Sequence, residues 1–267
     1  MTYCVGFRLE AGLVLVSDSR TNAGVDYISS YSKMHVFQPS EDRLFVLLAA
    51  GNLATTQAVV NRIRRDLAAH SADQAAAHSA PGILPAGPGA ERGVDLLNAR
   101  YLFEAVDYVG RLSLAAQQAF APSLRQAGGS GEASFILGGQ IRGDQHGLYL
   151  IYPQGNAVMA TAETPFLQIG ESKYGKPPLD YVGHKDLKLE DAARLCLISE
   201  IITRRSNLTV GPPFEIAMVP KDSLRVSRRL KLEKDAPEIS RAMEVWSQSM
   251  QEGLQRLPRF PWEQDPL

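Results

Sequence analysis

The chain has 267 residues, 45% of them hydrophobic and 21% charged, with a net charge of −1. That balance fits a globular protein with a large core. It argues against electrostatic capture of nucleic acid, since Lys and Arg are spread along the chain. No apolar run approaches the roughly 18 residues of a membrane span, so no membrane partner is expected. The two cysteines, Cys4 and Cys196, make no disulfide framework and read as small buried hydrophobes. No secretory leader is legible, which points to a reducing, cytoplasmic compartment.

Residues 2–7 and 13–16 are β-prone runs joined by Glu10-Ala11-Gly12 and read as a hairpin. The polar cluster Ser17-Asp18-Ser19-Arg20-Thr21-Asn22-Ala23-Gly24 follows at once and reads as a loop. Residues 27–37 are β-prone and carry Lys33 and His35; 38–42 is a turn; 44–50 is apolar throughout, the pattern of a strand covered on both faces. Residues 55–67 predict a helix, with Val59, Ile63 and Leu67 on one stripe and Thr55 or Thr56 as its cap. Segment 71–93 is rich in Ala, Pro, Gly and Ser and predicts an exposed or disordered insertion. Its Gly87-Pro88-Gly89 has no preceding strand and is no phosphate loop.

A second helix is predicted over 96–120, and a Gly-rich break over 126–131. Strands are predicted at 133–137, 148–152, 157–161 and 166–169. Segment 170–183 begins irregularly, because it holds Pro177-Pro178 and several glycines. A strong helix is predicted over 189–202, with Glu190 and Asp191 where the helix dipole favours acids. A final hairpin pairs 214–219 with 224–226. The charged tail beyond 228 carries one helix, 239–254, and a Pro- and Trp-containing end. Runs of strands, then helices, then strands argue for α+β layers rather than a Rossmann sheet. No internal repeat is visible.

Thr2 is the residue to which the rest refers. If Met1 is removed, Thr2 carries a hydroxyl and an α-amine together, one of the recognised nucleophile–base pairings. Thr2, Asp18-Ser19-Arg20, Gly24, Lys33 and the strand end Ala49-Ala50-Gly51 together resemble the N-terminal half of a proteasome β-subunit. The start Met-Thr-Tyr-Cys-Val-Gly is more specifically similar to the bacterial Anbu group of ancestral β-subunits. The resemblance covers about residues 2–226. The 71–93 insertion and the 228–267 extension lie outside it, and the whole of 1–267 is expected to form a single domain.

The resemblance implies the N-terminal nucleophile hydrolase fold, a four-layer αββα sandwich. It implies Thr2 as nucleophile, Lys33 beside it, Asp18 holding that lysine, Arg20 in the same loop, and Gly51 offering its N–H to the oxyanion. Ser172 is the counterpart of the family's later serine. The late acid of the family falls near Ser206-Asn207, where no acid stands. The Asp18–Lys33 spacing is one residue shorter than in ordinary proteasome subunits, so the loop around 27–29 must close differently. Self-assembly of many copies, as a ring or an open helical array, is also implied, with a peptide or other amide as substrate.

The chemistry of the residues agrees. An α-amine titrates near 7.7–8.0, whereas a free lysine titrates near 10.4, so the amine is the better proton shuttle. Plainer readings stand beside this one: Thr2 as an ordinary strand residue, and Asp18 with Arg20 as a surface ion pair. The five histidines, at 35, 70, 78, 146 and 184, show no metal-ligand spacing. Ser130 lacks the strand–turn–helix context of a nucleophile elbow. No metal and no cofactor are expected. Trp246, Phe260 and Trp262 are packing or assembly residues. Three functions remain open: a threonine-type peptidase, an amidase for a non-peptide substrate, and an assembly scaffold with little turnover. An ATPase partner is not legible in the sequence.

Overall fold

Strands Tyr3–Leu9 (β1) and Gly12–Ser17 (β2) form the expected hairpin, in the register Cys4↔Ser17 to Leu9↔Gly12. The computed structural model describes residues 2–22, 28–79, 93–126 and 128–263. Met1, Gly24, Tyr27, the Gly87-Pro88-Gly89 run with the rest of 80–92, and Pro266 lie outside the described residues, as does the His78 side chain.

Two five-stranded antiparallel sheets make the inner layers. One has the order β10-β1-β2-β11-β12, adding Phe166–Gly170 (β10), Phe214–Pro220 (β11) and Arg228–Leu232 (β12) to the hairpin. The other runs β5-β6-β7-β8-β9 through Met34–Ser40, Arg43–Gly51, Ala133–Ile141, Gly147–Ile151 and Ala157–Met159. Helices Leu53–Ser79 (α1) and Leu102–Gln126 (α2) cover the second sheet. Ser172–Val182 (α3) and Leu189–Ser206 (α4) cover the first, and Pro237–Gln255 (α5) lies against α4.

The period-two alternation of strands creates three apolar layers. In β6, Leu44, Val46 and Leu48 enter the core between the sheets, while Phe45 and Leu47 meet Val59, Ile63 and Val106 of the helices. This is why the run is apolar on every position. In β1, Cys4 faces the other sheet, while Tyr3, Val5 and Phe7 meet Cys196 and Ile201 of α4. Cys4 and Cys196 are free and buried, as expected. The αββα sandwich expected from the resemblance is the observed fold.

Several elements differ from the sequence reading, each for a local reason. Residues 17–24 are not all loop, because Arg20–Asn22 (β3) pairs with Ile28–Ser30 (β4) as a small ribbon. Strand β5 runs on to Ser40, so the turn narrows to Glu41 and Asp42. Asn52 caps α1, since its Oδ1 accepts the Thr55 amide at 3.1 Å. Residues 71–79, expected in an insertion, continue α1. Helix α2 starts at Leu102, not 96, because Asp95 Oδ1 accepts the amides of Leu97 and Asn98 and holds a turn there.

Segment 172–182 is helical despite Pro177-Pro178. Packing overrides propensity here: a Cβ on Gly175 would meet Tyr3 Oη at 2.3 Å, and Gly175 O accepts the Ser199 hydroxyl at 2.6 Å. The last hairpin closes on β12 rather than on 224–226, because Asp222 and Leu224 take positive φ and keep that stretch in a turn. Strand β12 is an edge strand whose Arg228, Arg229 and Lys231 keep it from pairing further.

Candidate active site

The site forms where β1, β2, β6 and β10 reach the same end of the sandwich. Thr2 leads into β1, and its carbonyl accepts the Glu171 amide at 2.8 Å. The turn out of β10 needs Gly170: its φ is +84°, and a Cβ there would lie 1.9 Å from Thr2 O. Thr2 itself is only 9% exposed. The next residue, Tyr3, donates its amide to Asp18 Oδ1 at 3.1 Å, and Asp18 N returns a bond to Tyr3 O.

Asp18 is fully buried and accepts four donors. Oδ1 takes the Tyr3 amide and Lys33 Nζ, the latter at 2.6 Å; Oδ2 takes the amides of Arg20 and Gly211, each at 3.2 Å. Burial pushes its carboxyl upward, against the pull of the Lys33 ammonium and these amides. All four partners are donors, which only the ionised carboxylate satisfies completely. Lys33 is buried too, and its Nζ also donates to Arg20 O at 2.6 Å. The buried cation of Asp18 is therefore Lys33 and not Arg20, so the surface-pair reading fails. The Arg20 side chain instead donates to Leu208 O at 2.7 Å and flanks Gly211, steadying the loop after α4.

Gly51 ends β6 with φ +113°. Ala49 N donates back to Lys33 O, and Asn52 N donates the other way to Glu132 O. The alternation of a strand turns the Gly51 N–H to the Lys33 side, beyond the last β5 pairing at Met34↔Leu48. A cavity of about 930 Å³ opens at this point. Thr2, Lys33 and Gly51 line it together, with His35, Arg64, Gly170 and Glu171 among its other walls.

Of the six residues singled out from the sequence, Thr2, Lys33 and Gly51 share the cavity, while Asp18 and Arg20 stand behind Lys33. Ser172 is not on the lining; it begins α3, and the wall there is Glu171. Asn207 does not reach Asp18. Its Oδ1 accepts the amide and hydroxyl of Thr209, and the backbone of Gly211 supplies the bond to Asp18. Glu171 and Arg64 were missed by the sequence reading: Glu171 could have been found as the neighbour of Gly170, whereas nothing local marks Arg64. His35 is held low, at about 4, by burial and then by Arg64, so its imidazole is neutral at pH 7. Among the described residues no three His, Cys, Asp or Glu side chains are grouped to hold a metal ion. None of the described helices is long and apolar enough to cross a membrane.

A two-sheet sandwich between helix layers, with an Asp–Lys pair under the start of its first strand, has the architecture of a proteasome β-type subunit. No family model and no curated protein matches the chain. Solved structures do. An Anbu (Gly-1) mutant from Hyphomicrobium sp. strain MC1 is 37% identical, with a TM-score of 0.82 over 97% of this chain and 99% of that one. Anbu, the ancestral β-subunit, from Yersinia bercovieri is 37% identical with a TM-score of 0.81 over the same shares. The helical assembly of the Anbu complex from Pseudomonas aeruginosa is 38% identical, with a TM-score of 0.82 over 99% and 100%. The chain belongs to the Anbu family of ancestral proteasome β-subunits.

Proposed function

We propose that the chain is a self-assembling threonine-type hydrolase that cleaves peptide or other amide bonds, with Thr2 as nucleophile once Met1 is removed. The observation that carries this reading is the lysine: Lys33 Nζ is anchored by Asp18 and by Arg20 O on one side, and its residue lines the cavity with Thr2 on the other. Such a cation lowers the proton affinity of a neighbouring amine and hydroxyl. The freed α-amine of Thr2 takes the hydroxyl proton, and Oγ attacks the substrate carbonyl carbon. The oxyanion is met by the Gly51 N–H, a donor of a kind worth about 2.7–4 kcal/mol. The C–N bond then breaks, the leaving amine takes the proton, and an ester to Thr2 remains. Water, deprotonated by the same amine, hydrolyses that ester.

Asp18 serves by holding Lys33 charged, and Arg20 by fixing the loop that presents Gly211 to Asp18. Ser172 has no part in this scheme beyond starting α3. For assembly, the support is the helical array of the Pseudomonas aeruginosa relative, together with exposed Val245, Met250, Leu254, Phe260 and Trp262 at the C-terminal end. Two buried unpaired cysteines suit a reducing, cytoplasmic setting. The absence of an acid at Asn207 favours a second reading, a scaffold with little turnover.

The test is the intact mass of the purified chain together with labelling by an electrophile that traps N-terminal threonines. The hydrolase reading expects a chain that starts at Thr2 and one adduct on that residue. A chain that retains Met1, or an unlabelled Thr2, leaves the scaffold.

A further inference from the structure

The buried charge near the site has a member that the scheme above does not use. Glu200, in the middle of α4, is 0% exposed, and neither of its carboxylate oxygens has a hydrogen-bond partner among the described residues. Ala192, Cys196, Ser199, Glu200 and Thr203 are all buried and recur at helical spacing, on the side of α4 that lies across β1 and β2. Ser199 Oγ pairs with Tyr3 Oη at 2.6 Å, and the Tyr3 amide holds Asp18. Asp18 follows β2 directly, and its Oδ2 accepts the Gly211 amide from the loop after α4. Glu200 thus lies beneath the Asp18–Lys33 pair.

Asp18 and Lys33 bear on Glu200 directly; Tyr3 and Cys4 of β1 and Cys196 of α4 feel it in turn. From β11, Glu215 is already held by Arg229 at 2.9 Å. From α3 the Gly175 carbonyl is occupied by Ser199, and from α5 the aliphatic Ile239 packs into this core. Two carboxyl groups therefore share one ammonium. Asp18 has four donors and Glu200 has none, so the proton belongs on Glu200. Its burial and the charge of Asp18 push it the same way.

We propose that Glu200 is a positioning residue of the site: an uncharged acid whose neutrality leaves Asp18 and Lys33 as a balanced pair beneath Thr2. The reactive role rests on the reading of Thr2 and Lys33 given above. An ionised Glu200 would compete with Asp18 for Lys33 and draw the ammonium toward α4, away from Thr2.

The experiment compares the full chain with Glu200→Gln in two readouts. The first is Tm against pH. In the unfolded chain Glu200 ionises near 4.3, whereas in the folded chain it stays protonated, so wild-type stability falls as pH rises above that value. Gln has no such loss, and the Tm gap between variant and wild type is expected to widen by about 3 °C per pH unit from pH 5 upward. A constant gap overturns the proposal. The second is the rate at which a threonine-directed electrophile labels Thr2. The variant is expected within about 3-fold of wild type at pH 7, and to hold its rate on the alkaline limb, where ionisation of Glu200 makes wild type decline. A folded variant that loses about 100-fold at pH 7 overturns the proposal, as does an unchanged alkaline limb.

If Glu200→Gln does not fold, Glu200→Met, of similar length and also uncharged, takes its place. Failure of both counts against a neutral acid. Wild type that is never labelled sinks the role of Thr2, while the Tm comparison still decides the charge on Glu200.

Discussion

The strand-end site and the C-terminal arm are built on opposite rules. At the site, the charged pair is buried and answered: Asp18 takes four donors, and Lys33 reaches two acceptors at 2.6 Å. Along α5 and beyond, apolar groups are exposed. Ile239 is the only buried residue of α5, and the stacked Phe260 and Trp262 are 57% and 69% exposed. A buried charge without its partner is costly, so each site residue fixes the next. An exposed aromatic holds nothing inside its own chain. The site is therefore intolerant of substitution within one chain, and the arm is free to serve contacts between chains.

That contrast can be broken or sharpened by variants of decreasing severity. Thr2→Ala is expected to lower labelling by at least about 10³-fold, with Tm unchanged; equal labelling by mass spectrometry would remove Thr2 from the chemistry. Lys33→Ala leaves Asp18 buried and unpaired, at about 3–5 kcal/mol of stability, and should lower labelling as well. If denaturant unfolding shows less than about 1 kcal/mol, the pair is not buried as described. Gly170→Ala puts a methyl group on the Thr2 carbonyl in a left-handed backbone. It is expected to cost about 2–4 kcal/mol and to slow labelling by displacing the start of β1.

His35 gives a smaller, pH-dependent effect. In the unfolded chain it protonates near 6.5, and in the fold only near 4, so stability falls as pH drops between these values. His35→Gln should remove about 2–3 kcal/mol of that acid-side loss, as read from denaturant midpoints at pH 7 and pH 4.5. Smallest of all, Trp262→Ser should change neither labelling nor Tm beyond about 0.5 kcal/mol, while weakening self-association in sedimentation velocity. If Tm drops by several degrees instead, the arm packs on its own chain and the contrast collapses.

Much of the framework was legible because strand runs are local. The apolar run of β6 announced two covered faces, and Asp18 and Lys33 stood out through their resemblance to a known pattern. Helix α3 was missed because Pro177-Pro178 argues against a helix locally, while the packing of Gly175 against Tyr3 and Ser199 argues for one at long range. Strand β12 was misplaced because the positive φ values of Asp222 and Leu224 are not written in residue type. Ser172 rests on the resemblance alone, and it is its neighbour Glu171 that lines the cavity.

The sequence by itself pointed to the layers and the family, and to Lys33 and Gly51, which line the cavity with Thr2, since strand period and motif spacing are properties of the chain read in order. Only the tertiary structure decided what else answers Asp18 beside the expected Lys33: three backbone amides, one of them Gly211, rather than the Arg20 side chain. It alone also brought Glu200 beneath that pair. The reason is physical. Charge states and hydrogen-bond partners depend on burial and on contacts between residues nearly two hundred positions apart, and no local pattern in the chain encodes them.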